Sequence, residues 1–177
     1  MTIIVETGNM PAGASSYASV ADADARHAAS TSAETWENYD VVQKEQRLVT
    51  ATRRLDALFD WHGLAYSHDQ PLGFPRRNLY DPSGRQIYAR TVPATLRNAT
   101  IDLALWLPDD VPAAAASSGE VVQEITLGPI GIKMSAAQSG DGSAPVIAPL
   151  IPTDIILALR HLGSYVGGGG GVGRITR

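Results

Sequence analysis

Cysteine is absent from the 177 residues, which excludes a disulfide framework, a thiolate zinc site and a cysteine nucleophile. Charge is scarce. Asp, Glu, Lys and Arg make up 18% of the chain, against a typical share of about 25%, so part of the surface is expected to meet protein. An excess of positive charge is also missing: 14 Lys and Arg face 18 Asp and Glu, for a formal net charge of −4. A nucleic-acid role therefore needs a local basic patch. No apolar run approaches the roughly 20 residues of a membrane-spanning helix, and Thr2-Ile3-Ile4-Val5-Glu6 lacks the basic and long apolar regions of a secretory signal. Membrane partners are not expected. The length sits near the soft prior of one domain per ~100–200 residues, and a hydrophobic share of 44% supplies a core.

The residues present read as a mainly α fold, a small bundle of four to five helices with an inserted β-hairpin and extended arms at both ends. Ile3 to Val5 are β-prone and are broken at once by Gly8, Pro11 and Gly13, so residues 1–18 read as an extended arm. Residues 19–166 read as the helical domain. Ser19 with Asp22, Thr31 with Glu34, and Asp40 with Gln43 each resemble a helix-opening capping box. The first opens a helix from about Val20 to Ala29, and the last opens an amphipathic helix over Val41–Trp61, with Leu48, Ala51, Leu55, Leu58 and Phe59 at three- and four-residue spacings. Pro71, Pro75, Pro82, Gly73 and Gly84 mark a long loop anchored by Trp61, Leu64, Tyr66, Leu72, Phe74, Leu79 and Tyr80. A buried helix runs between Pro93 and Pro108, and a hairpin is expected at about 120–135 around Gly128-Pro129. Ile155 to Leu162 form the last helix, stopped by Gly163. Residues 167–177 read as a glycine tether with a basic, β-prone tip, Val172-Gly173-Arg174-Ile175-Thr176-Arg177.

Catalytic constellations do not emerge, and the chain is expected not to be an enzyme and to need no cofactor. His62 and His68 with Asp69 fall short of the three or four ligands of a zinc site. Asp109 and Asp110 read as solvated acids, Ser117-Ser118-Gly119 lacks a nucleophile elbow, and the glycine run precedes no Lys-Ser or Lys-Thr. The best case for nucleic acid lies at Arg76 and Arg77, with Arg85 and Arg90, interleaved with Phe74, Tyr80 and Tyr88. Cations beside aromatic rings bind single strands. The competing reading has the aromatics anchoring the loop and the arginines pairing with acids of a neighbouring subunit, and the prolines that fix the loop path favour it.

Several segments carry a family resemblance in order along the chain: Ile4-Val5-Glu6-Thr7-Gly8, Ser16-Tyr17-Ala18-Ser19-Val20-Ala21-Asp22-Ala23, Ala51-Thr52-Arg53-Arg54-Leu55-Asp56, Gln70-Pro71-Leu72-Gly73-Phe74-Pro75-Arg76, Val92-Pro93-Ala94-Thr95-Leu96-Arg97-Asn98-Ala99, and Leu127-Gly128-Pro129-Ile130. Together they resemble the head–tail connector adaptors of tailed phages, proteins often labelled DnaT-like ssDNA-binding. The resemblance implies a structural protein of the virion neck, made in the host cytoplasm. It implies a dodecameric ring between the portal and a stopper or tail-terminator protein, with packaged double-stranded DNA passing through. It also implies a C-terminal extension that engages the portal, here Val172, Arg174, Ile175 and Arg177. Unpaired strand edges are commonly satisfied by adding a strand to a neighbour's sheet, so Ile3, Ile4 and Val5 are candidates for an inter-subunit arm. An acidic conduit would let DNA slide without holding it. The alternative function is a single-stranded DNA-binding replication accessory.

Overall fold

The computed structural model describes residues 3–108, 125–127, 130–132 and 151–166. Two units divide the chain, one formed by Met1–Leu107 with Pro149–Arg177 and the other by Pro108–Ala148. The first holds five helices: α1 (Val20–Ala28), α2 (Ala33–Glu37), α3 (Val41–Leu58), α4 (Ala94–Trp106) and α5 (Thr153–Leu159). It also holds six short strands: β1 (Phe59–Trp61), β2 (Leu64–Ala65), β3 (Arg76–Arg77), β4 (Leu79–Tyr80), β5 (Gln86–Ile87) and β8 (Gly163–Tyr165). In the second unit β6 (Ile125–Leu127) and β7 (Ile130–Ile132) pair antiparallel, with Leu127 opposite Ile130.

Local signals set the helix starts. Ser19 accepts from the Asp22 amide while the Asp22 carboxylate accepts from the Ser19 amide, and Asp40 and Gln43 repeat that reciprocal box at α3. Ser32 opens α2 without a side-chain cap bond. Pro93 and Pro152 sit at the N-caps of α4 and α5, where a missing N–H costs nothing.

The core lies between α3 and α4. Ala51, Ala99 and Ala104 let the two helices approach closely, and Leu48, Leu55, Leu96, Ile101 and Leu103 fill the seam. Two threonines sit wholly buried there. Each turns its hydroxyl onto the carbonyl one turn back, Thr52 to Leu48 and Thr100 to Leu96, both at 2.9 Å, so neither leaves an orphan donor. Helix α5 closes the core against α4 with Ile155 and Leu159, and a two-pronged Arg26–Asp102 contact, 2.7 Å in each arm, ties α1 to α4.

A mainly α bundle is therefore corrected to a mixed α/β domain. Four antiparallel strand pairs accompany the helices among the described residues: β1 with β8, β2 with β3, β4 with β5 and β6 with β7. Helix α3 stops at Leu58, short of the expected Trp61, because Phe59 to Trp61 pair with Tyr165 to Gly163. Gly163 does not merely end a helix; it opens β8. Residues 3–18 are likewise not an outstretched arm. Val5 bridges to Ser16, the Ser15 amide donates to the Ile4 carbonyl at 2.8 Å, and Tyr17 and Ala18 enter the core. Ile3 packs against that core while Ile4 stays exposed. The tail residues Val172, Arg174, Ile175 and Arg177 lie outside the described residues, as do Asp109, Asp110 and Ser117.

Candidate nucleic-acid interface

Between β1 and α4 the chain makes a long excursion that β2–β3 and β4–β5 fold into two short ribbons. Its anchor is a buried polar node. The Asp56 carboxylate, on the last turns of α3, accepts from the Tyr17 hydroxyl at 2.7 Å, the Trp61 indole at 2.9 Å and the Gly73 amide at 3.0 Å. The Phe74 amide donates to the same Tyr17 oxygen at 3.1 Å. Burial pushes the Asp56 carboxyl above its ordinary range, against the opposing pull of Tyr17, Gly73, Trp61 and Arg76. Burial also raises the Tyr17 phenol well above its usual value, and the neighbouring Asp56 charge adds to that.

Phe74 belongs to this anchor. Its ring is fully buried edge-on to Tyr17 and Trp61, with centroids 6.1 and 5.1 Å away, so no face is left for a base or a neighbouring subunit. Arg76 is committed as well. Its guanidinium donates to the carbonyls of His62 (2.6 Å), Trp61 (3.0 Å), Gly63 (3.0 Å) and Gly73 (3.2 Å). It staples the two sides of the excursion together, and burial lowers its pKa. Both residues are thereby removed from the expected contact set.

Other residues of the excursion face out. Arg77 donates to the Tyr66 carbonyl at 2.6 Å and places its guanidinium carbon 4.8 Å from the centre of the Tyr66 ring, and Arg90 places its own at 5.8 Å. Two cations thus share one aromatic ring. Among the described residues neither forms a salt bridge. Each is seated by a left-handed glycine. Gly63 (φ +69°) lies so close to the Arg77 carbonyl oxygen that a Cβ would stand 2.2 Å from it, and Gly8 (φ +111°) lies as close to that of Arg90, at 2.1 Å. The Glu6 carboxylate holds the Gly8 turn, accepting from the Gly8 and Met10 amides at 2.7 and 3.0 Å. Tyr80 and Tyr88 are 55% and 85% exposed. Residues 61–90 carry four arginines against two aspartates, a local basic balance on an acidic chain.

One family model matches residues 1–177, the whole chain. The chain belongs to the family described as "Putative DnaT-like ssDNA binding protein". No curated protein and no solved structure matches it. This family membership corrects the expectation of a virion head–tail connector: the description concerns single-stranded DNA, and the portal, stopper and dodecameric ring find no support.

Within this DnaT-like member the expected contact residues divide. Arg77, Tyr80, Tyr88 and Arg90 are exposed, whereas Phe74 is buried in the anchor and the half-buried Arg76 is held by four carbonyls. Arg85 is exposed but bound to Asp81, with Nε 3.0 Å from Oδ2. The pairing of β2 with β3, continued by the Tyr66 amide donating to the Pro75 carbonyl, brings Tyr66 beside Arg77, a proximity with no signal in sequence spacing. His62 contacts Ser164 at 3.1 Å, and no group of three or more metal-ligating side chains gathers among the described residues.

Proposed function

We propose that the chain binds single-stranded DNA through the outward side of residues 62–90. The observation that carries this reading is the pair of guanidinium groups, Arg77 and Arg90, held over Tyr66 with no carboxylate to neutralise them among the described residues. Cations fixed beside aromatic faces attract a phosphate backbone and leave stacking surface for unpaired bases. The family description supports the same ligand. The role is binding without a reaction.

The acidic remainder of the protein repels phosphate, which confines productive contact to this side of the domain. The test is fluorescence anisotropy with a labelled single-stranded oligonucleotide. Arg77→Glu is expected to weaken binding severely, while Arg53→Glu, the same charge change on the exposed side of α3, leaves it nearly intact. Equal losses from the two would reject the assignment of this face.

A further inference from the structure

We infer that Tyr80 and Tyr88 form a base-stacking platform for two unpaired bases, an inference that rests on the single-stranded DNA reading and adds where the bases go. The β4–β5 register pairs Leu79 with Ile87 and Tyr80 with Gln86. Leu79 is buried and Ile87 packs on the core. Alternation along the strands therefore turns Tyr80 and Gln86 outward, and Tyr88, the residue that follows β5, is also exposed.

Nothing in the fold accounts for their exposure. Neither ring stacks on another ring among the described residues, so both present open faces. The ribbon beneath them is rigidly closed. Asp81 accepts from the Ser83 and Arg85 amides, both at 2.9 Å, and binds the Arg85 guanidinium, while its own amide donates to the Arg85 carbonyl at 2.8 Å. These bonds hold the Asp81 carboxyl below its usual range. A platform fixed before the strand arrives avoids the entropy cost of ordering it. Arg90 follows Tyr88 by two residues, which sets a phosphate contact beside the stacked bases.

Three probes of equal length separate the parts: oligo-dT, an abasic deoxyribose-phosphate strand and a blunt duplex. Wild type is expected to bind oligo-dT more tightly than the abasic strand or the duplex. Tyr80→Ala and Tyr88→Ala should each weaken oligo-dT binding by about 5- to 100-fold, leave abasic binding unchanged, and be rescued by Phe. Arg77→Gln should weaken both single strands. Oligo-dT binding that depends on Arg77 but not on the tyrosines would overturn the platform and leave the DNA reading standing. Absence of any binding by wild type would overturn both. Loss of self-association in the tyrosine variants, with oligo-dT affinity unchanged, would also overturn the platform and assign the rings to a second copy of the chain.

Discussion

The Tyr17 hydroxyl reaches the Asp56 carboxylate at 2.7 Å across 39 positions of sequence. This contact joins the N-terminal segment to α3, and the same two groups hold the Gly73 and Phe74 amides of the long excursion. The exposed ribbons are therefore placed by a buried polar node and not by an extensive sheet. Tyr17→Phe removes a donor to Asp56 and the acceptor of the Phe74 amide, so it is expected to cost about 1–3 kcal/mol. Urea denaturation with the slope held constant would check it. Asp56→Ala, which strands three donors, should cost more.

Arg47 ties α3 to the end of α4. It donates to the carbonyls of Ala104 (2.9 Å), Leu105 (3.2 Å) and Leu107 at the end of α4, and lies over the Tyr39 ring at 4.2 Å. Those carbonyls have no helical partner of their own. Arg47→Met keeps the apolar stem but not the donors, and a loss of about 1–3 kcal/mol in chemical denaturation is expected. Lysine should rescue little, because a point charge cannot span three carbonyls.

His27 makes stability depend on pH. It is buried against Trp36 with centroids 4.8 Å apart, and its Nε2 has no hydrogen-bond partner among the described residues. Burial holds its pKa below the ordinary value; the Ile101 backbone and the nearby Asp102 and Asp24 pull it upward, and Arg26 reinforces the lowering. The unfolded state then takes up a proton that the folded state resists. Stability is full above the unfolded pKa of about 6.5 and falls as pH drops through it toward the lower folded value. His161, also lowered by burial, adds to the loss. Thermal melts at neutral and mildly acidic pH should show a smaller drop for His27→Phe than for wild type, and equal drops would remove His27 as a source.

Gly8 offers a test of positioning at a distance. An alanine there meets the Arg90 carbonyl and must adopt a φ of +111°, which destabilises the site by more than the ~1 kcal/mol of a simple backbone effect. Gly8→Ala is expected to lower single-stranded DNA affinity without itself contacting DNA. Gly13→Ala, also left-handed but meeting nothing closer than the Ile4 side chain at 3.5 Å, controls for backbone strain alone. Comparable affinity losses would show that Arg90 placement is not involved.

The parts of this fold legible in sequence are the local ones. Ser19 with Asp22 and Asp40 with Gln43 form their capping boxes within one turn, so spacing alone locates α1 and α3. The end of α3 is not local: Phe59 to Trp61 leave the helix because residues about a hundred positions later supply a strand, and no window of periodicity contains both. Adjacent Arg76 and Arg77 look equivalent in sequence, yet the pleat sends one inward to four carbonyls and the other outward to Tyr66. Phe74 reads in sequence as either a stacking ring or a loop anchor, with the prolines favouring the anchor, and its burial against Tyr17 and Trp61 fits the anchor. Composition says only that a nucleic-acid role needs a local basic patch, and pairing decides which arginines of residues 61–90 are exposed.

Salt dependence of single-stranded DNA binding tests the central claim most directly. With anisotropy followed from about 50 to 200 mM salt, wild-type affinity should fall linearly on logarithmic axes, and Arg77→Gln and Arg90→Gln should each flatten the slope by about 0.7, the share of one phosphate contact on a single strand. No binding at the lowest salt, or a slope that neither substitution changes, would contradict the account.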